Sequence, residues 1–273
     1  MAEEPKLLKP PLEYDYKMRK IILHIVVFCC FFLVTSCGIS EDCFKGNGNQ
    51  ATQLFPLENF TKIKVYDGVG LVIKEGANYE VKITTSDNIL DNLEVKLEGN
   101  MLLVKDNSTC NIARNYGQTK VYVTVPDGSI LPVVSELELH CKTEQNIESD
   151  GILHSPIIRL FSIGDDGDGA GTGDFHLAID NTQLVVESNN VSNFYINGHS
   201  NEVLLNFYFG NGRFYGKDLH VENIKVYHRG SNDMMVYPIQ KIEGTIFATG
   251  NVVLKNVPLI INVDEVFTGR VIY

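Results

Sequence analysis

Tryptophan is absent from all 273 residues. A β-sandwich of the immunoglobulin kind therefore lacks the indole that usually packs its core. The spacings that announce chemistry are also missing. No Cys-x-x-Cys occurs, which removes the frame of a zinc ribbon or a redox dithiol. The histidines outside the first 36 residues (His140, His154, His176, His199, His220, His228) form neither His-x-His nor His-Glu-x-x-His, so no metal site is expected of them. No Gly-x-Ser-x-Gly elbow is present. Glycine-rich segments are not followed by helical patterns, so none reads as a phosphate cradle. Positive charge is scarce, with 23 basic against 34 acidic residues and a net charge of −11. That balance argues against nucleic acid and against binding anionic lipid by charge.

Long hydrophobic runs are lacking too. The run Ile21 to Leu33 has 13 residues, short of the roughly 18–20 a membrane span needs. It follows the basic patch Lys17-Met18-Arg19-Lys20 and ends in Val34-Thr35-Ser36-Cys37. A basic patch, a short apolar run and small residues before a cut describe a secretory signal. With cysteine at the first mature position, the segment resembles a bacterial lipoprotein signal, which implies that Cys37 carries the lipid. Two acyl chains meet the requirement for stable anchoring. Residues 1–17, with three prolines and several acids, make a poor n-region, and Met18 reads as the translation start.

Cleavage before Cys37 leaves 237 residues and a net charge of −12. Such a chain can bury a sizeable core in one domain. Of six cysteines, Cys29 and Cys30 leave with the signal and Cys37 is lipidated. Export permits a disulfide. Cys110–Cys141 is the expected pair, because Cys43 lies in a polar stretch (residues 37–51) that reads as a flexible tether. Ser40-Glu41-Asp42 resembles the acidic export signal of surface lipoproteins from bacteroidetes.

From Phe60 onward, apolar and polar residues alternate in short runs such as Tyr79-Glu80-Val81-Lys82-Ile83 and Val121-Tyr122-Val123-Thr124-Val125. Turn residues such as Asp67-Gly68 and Glu98-Gly99-Asn100 separate them. This is an all-β pattern. The one helical candidate is a turn around Asp87 to Asn92. In the second half, polar corners recur about every 20 residues: Gly171-Thr172-Gly173-Asp174, Ser188-Asn189-Asn190, Gly210-Asn211-Gly212, Gly230-Ser231-Asn232-Asp233, Thr249-Gly250-Asn251 and Thr268-Gly269. A period of that size predicts a solenoid of short strand pairs, with Gly and Asn supplying left-handed corners. A β-sandwich is the rival, since it uses strands of similar spacing.

Three features carry a family resemblance. They are Leu57-Glu58-Asn59-Phe60-Thr61-Lys62-Ile63-Lys64-Val65 with Gly70 to Gly76, then Val81 to Asp91 with Gly99-Asn100-Met101-Leu102-Leu103-Val104, and the Gly-x-Gly-Asp corners. Together, over residues 52–273, they resemble the auto-transporter adhesin head domain, the GIN family of lipoproteins from bacteroidetes. The resemblance implies an all-β, right-handed β-helix-like architecture and no catalytic residues or cofactors to carry over. The sequence departs from the family at Ser188-Asn189-Asn190, at His199-Ser200-Asn201, and in an insertion-like stretch from Cys141 to Pro156.

Two groups of residues invite chemistry. Asp166, Asp168 and Asp174 lie in a Gly-rich loop and offer hard oxygen ligands to calcium; a solvated corner is the simpler reading. Asp174, Asp180 and Glu187 could serve a glycan-active enzyme, but nothing in the sequence pairs them. Phe194, Tyr195, Phe207, Tyr208, Phe209, Phe214, Tyr215 and Tyr227 crowd the last coils. Strand alternation sends one ring of each adjacent pair inward and one outward. The expectation is a lipid-anchored envelope protein with a glycan or protein ligand and no enzyme activity. The alternative is a periplasmic structural or stress-related lipoprotein.

Overall fold

The computed structural model describes residues 16, 18–25, 41–110, 112, 115, 117–127, 135–164, 167 and 169–273. Residues 18–25 are helical, inside the stretch read as a signal. Among the described residues, no helix is long and apolar enough to cross a membrane. Cys37, Asp166 and Asp168 lie outside the described residues.

The rest is strand. In chain order the strands are β1 (Gln50–Phe55), β2 (Lys62–Tyr66), β3 (Val69–Gly76), β4 (Glu80–Ser86), β5 (Leu93–Glu98), β6 (Met101–Asp106), β7 (Thr119–Pro126), β8 (Glu136–Lys142) and β9 (Ile147–Leu153). They continue as β10 (Ile157–Ser162), β11 (Phe175–Ser188), β12 (Asn193–Phe207), β13 (Arg213–His228), β14 (Met234–Ile246), β15 (Val252–Leu254), β16 (Ile260–Glu265) and β17 (Val271–Ile272). The expected turn near Asn92 is a single 3-10 turn, Leu90–Asn92.

Among the described residues, 17 strands join one hydrogen-bonded sheet that curls until two runs face each other across a core. One run is β5–β6–β2–β8–β10 followed by the second halves of β11, β12, β13 and β14, then β16. The other is β1–β4–β7–β3–β9 followed by the first halves of β11 to β14, then β15 and β17. The antiparallel strands β1, β4 and β5 belong to the N-terminal part, and from β8 onward every pairing is parallel.

The periodic corners reflect real coils. Phe175 faces Phe194, Phe194 faces Phe214, Phe214 faces Met234 and Met234 faces Val252. Each is buried, so one inward column runs the length of the stack. Leu184, Val203, Ile224 and Ile242 form a second inward column. A single coil exposes its apolar row, while stacked coils bury it continuously.

Two details differ from the sequence expectation. The short strand pairs of the last coils are single long strands that bend and stay hydrogen-bonded through the bend. Small polar side chains make that possible. Asn181 donates its Nδ2 to the Gln183 carbonyl at 2.9 Å, and Ser200 donates its Oγ to the Glu202 carbonyl at 3.0 Å. The corners also work differently. Among the described residues, Asn59 alone of the non-glycines has positive φ. The corner asparagines stay right-handed or extended and hydrogen-bond to the coil beneath, as Asn232 Nδ2 does to the Asn211 carbonyl. Several corner glycines are needed for space: a Cβ on Gly173 would sit 1.8 Å from the Gln145 carbonyl oxygen.

The cysteine expectation is corrected. Cys43 pairs with Cys110, and Cys141 is a buried free thiol. Cys141 points into the core from β8, and its Sγ donates to the Thr143 and Gly173 carbonyls at 3.4 and 3.6 Å. Cys43 is available because its segment docks. Asp42 accepts hydrogen bonds from the Thr109 backbone N–H at 3.0 Å and from Asn92 Nδ2 at 3.2 Å, and it pairs with Lys45 at 2.8 Å. Asn49 donates to Asp87 at 3.0 Å. Residues 42–50 therefore belong to the folded domain instead of a tether.

Candidate functional site

Alternation along β11, β12 and β13 puts Phe175, Phe194 and Phe214 inward and their neighbours outward. The outward neighbours, His176, Tyr195 and Tyr215, stack. The His176 and Tyr195 rings lie 4.6 Å apart with planes 6° from parallel, and Tyr195 and Tyr215 lie 4.6 Å apart at 5°. Those separations match the spacing of neighbouring strands, about 4.7–4.9 Å, so parallel register alone aligns the rings. Offset stacking of this kind is favourable.

A second stack stands four residues further along the same outward face. Asp180 contacts His199 Nδ1 at 3.3 Å, His199 faces His220 in register, and His220 stacks on Tyr237 at 4.5 Å. A rise of about 3.3 Å per residue separates the two stacks by about 13 Å. A shallow groove of about 390 Å³ lies against the first stack, floored by Ala178 and Asn197 and reaching Lys217 and Asp218. Tyr215 pairs with Met235 and His220 with Tyr237, so residues 216–219 pair with no residue of β14 and form a bulge that exposes Lys217 and Asp218 while Leu219 stays buried. Lys217 and Asp218 ride on that bulge, paired at 3.6 Å and largely solvent-exposed. Gly198 holds φ +111°, and a Cβ there would meet the Ile179 carbonyl oxygen at 2.0 Å. Only glycine carries the chain past that point without a shift.

The stack presents apolar ring bodies along the coil axis and polar tips outward. Burial, with help from the Asp174 carboxylate and Tyr215, pushes the Tyr195 hydroxyl above its ordinary pKa. It remains a neutral donor at physiological pH. A row of hydroxyl and imidazole groups over ring edges, flanked by an amide and an ion pair, suits a ligand that is polar on its rim and apolar on its faces.

The remaining sequence candidates are dispersed. Asp174 accepts from the Asn193 backbone N–H at 2.8 Å and from its Nδ2 at 3.1 Å. Asp180 serves His199, and Glu187 accepts from Asn206 Nδ2 at 3.1 Å and from the Tyr208 hydroxyl. Each carboxylate answers a neighbour one coil on, and the three do not share a cleft. Burial and the Glu187 bond push the Tyr208 hydroxyl up to about 12. Phe194, Phe207 and Phe214 are core. Tyr208 and Tyr227 tilt together at 5.8 Å, and Phe209 is exposed. The histidines of both outward stacks escaped the sequence reading. Their signal was the spacing 176, 195, 215 and 199, 220, 237, which repeats the coil length.

Three comparisons bear on this arrangement. The family model described as "Putative auto-transporter adhesin, head GIN domain" matches residues 59–258. A putative adhesin from Bacteroides fragilis superposes with a TM-score of 0.67 at 16% identity, covering 82% of this chain and 96% of that one. A putative lipid binding protein from Parabacteroides distasonis and a putative adhesin from Parabacteroides merdae each give a TM-score of 0.50 at 15% identity, covering 84% of this chain and 98% of theirs. These likenesses establish a shared fold. No curated protein matches the chain.

Proposed function

The chain belongs to the auto-transporter adhesin head GIN domain family, and from that premise we propose that it is a non-enzymatic binding module of the cell envelope whose outward stack takes a glycan. The observation that carries the reading is the His176–Tyr195–Tyr215 stack with its polar tips and adjoining groove. A sugar ring offers hydroxyls at its rim and C–H groups on its faces, the same pairing the stack presents. An acyl chain would cover the Tyr195 hydroxyl without offering it a hydrogen-bond partner, at a desolvation cost. That favours glycan over lipid, although one structural neighbour is named a lipid binding protein.

Cys37 is the proposed lipid attachment. With Asp42 already docked on the domain, only residues 38–41 would separate anchor from fold. The five steps from Cys37 to Asp42 reach at most about 18 Å, so the domain would stand close to its membrane. A right-handed winding is the reading that the handedness rule for parallel crossovers favours.

The experiment is glycan-array binding of the purified protein, with Tyr195→Phe and Tyr215→Phe tested beside it. Phenylalanine keeps the stack and removes the hydroxyl. Binding by the natural chain that falls in both variants, with unchanged melting temperature, is expected. Binding unaltered in both would mean that the stack only braces the coils. Protease shaving of intact cells separates the surface location from the periplasmic alternative.

A further inference from the structure

The strongest unassigned cluster lies away from the aromatic face, where three neighbouring parallel strands end at one rim. β3 lies between β7 and β9. Near the C-terminal end of each stands a potential metal ligand: Glu75 on β3, Asp127 just after β7 and His154 just after β9. One ligand atom from each lies within 4.8 Å of the others. The Asp127 backbone N–H donates to the Gly76 carbonyl at 2.9 Å, which continues the β3–β7 ladder and fixes the approach.

Glu75 is held unusually well. Its Oε1 accepts from the Ser155 N–H at 2.8 Å and from the Ser155 hydroxyl at 2.9 Å. Its Oε2 accepts from the His154 N–H at 2.8 Å and lies 3.1 Å from His154 Nδ1. The side chain is 3% exposed. Outer hydrogen bonds of this sort orient a ligating carboxylate. Among the described residues, neither lysine nor arginine pairs with Glu75; its partners come from residues 154 and 155. A nearly buried carboxylate, a second carboxylate and an imidazole thus converge at this rim.

We propose that Glu75, Asp127 and His154 bind one divalent transition-metal ion, with zinc as the fitting probe. Imidazole nitrogen with two carboxylate oxygens is a recognised zinc donor set, and three protein ligands leave a position for water. Bonds of about 2.1 Å at tetrahedral or right angles put neighbouring ligand atoms about 3.0–3.4 Å apart. The Oε2–Nδ1 separation already has that value, and Asp127 must close on the pair. Binding requires His154 to carry its proton on Nε2 and turn the Nδ1 lone pair to the ion. The ion would then clamp the three strand ends together.

The test is calorimetric titration of the full chain with zinc chloride after EDTA treatment, alongside Asp127→Asn and His154→Gln. One equivalent should bind, raise the melting temperature, and lose at least tenfold in affinity in each variant. Absence of stoichiometric binding would overturn the proposal, as would binding that both variants retain. Calcium binding in preference to zinc would overturn the transition-metal assignment. Should either variant fail to fold, 15N-histidine NMR of the natural chain decides. One imidazole ligated through Nδ1 supports the site, and zinc shifts confined to Nε2 atoms refute it. Glycan binding by the aromatic stack is a separate readout, so failure of one leaves the other standing.

Discussion

Asp174 lies one coil beneath Asn193, and its Oδ1 accepts both the Asn193 backbone N–H and the Asn193 side-chain amide, at 2.8 and 3.1 Å. Asp233 and Asn251 repeat the arrangement three coils later, both bonds at 2.9 Å. The Asp–Asn pair thus pins one coil to the next at two levels of the same corner. Pinning matters because a slip of one residue would turn an inward column outward. It also explains an acidic residue in a glycine-rich loop without a cation.

Replacing Asp174 with alanine should therefore cost stability. Bonds to a charged acceptor contribute about 1.5–3 kcal/mol each when well shielded, and this half-buried site should lose about 1–3 kcal/mol in all. Urea unfolding of the variant measures it. A loss below about 0.5 kcal/mol would show that the corner is held by something else.

Glycine at the corner answers a different need. A methyl at Gly173 would sit 1.8 Å from the Gln145 carbonyl oxygen, a backbone atom that cannot swing aside. Gly173→Ala should destabilise by about 3 kcal/mol or more, in the range of severe overpacking. Thermal unfolding distinguishes this from a merely entropic glycine effect of about 1 kcal/mol.

These residues show how far the sequence could be read. Alternation is local, so the strands, and one inward ring in each adjacent aromatic pair, were legible from period two, whereas the choice of Phe194 and Phe214 as the inward rings came from the structure. The coil length was legible because corners repeat. What the corners do was not, because Gly173 is constrained by Gln145, 28 residues earlier and one coil below. The same limit hid the strand bends at Asn181 and Ser200, where a side chain replaces an expected break. Cysteine spacing carried no information about docking of residues 42–50, so Cys43 was discounted. Glu75, Asp127 and His154 meet only because β7, β3 and β9 are neighbours, an order that no local pattern records.

The Cys43–Cys110 bond closes a loop with a sequence separation of 67. Cys43→Ser together with Cys110→Ser should lower stability by about 2–4 kcal/mol, chiefly by freeing the unfolded chain. Cys141 provides the contrast. Burial pushes its thiol up to about 11, so it should resist alkylation in the folded protein and react only after unfolding. Mass spectrometry before and after denaturant checks both statements. Rapid labelling of Cys141 in the native state would contradict its place in the core.

His228 gives the pH prediction. Its ring is fully buried, edge-on to Phe207 at 6.3 Å, and among the described residues neither ring nitrogen makes a well-formed hydrogen bond, the Asn232 backbone offering only a poorly aligned one. Burial pushes its pKa down to about 4, against the weak opposing pull of the Asn232 backbone and the Asp233 carboxylate. In the unfolded chain the value returns to about 6.5. Between those values the unfolded state binds more protons, so stability rises with pH. The contribution is therefore fully present above about pH 6.5, is lost as pH falls from there toward 4, and levels off below. A depression of this size corresponds to about 3 kcal/mol over the window. Urea midpoints at pH 7.5, 6, 5 and 4 measure the slope, which His228→Phe should reduce by that amount if it folds. Other titrating groups, including half-buried His140 with its own lowered pKa, contribute equally to both chains and cancel in the difference. Equal slopes for the natural chain and the variant would mean that His228 gains its proton without cost, and that the corner opens to water before the fold does.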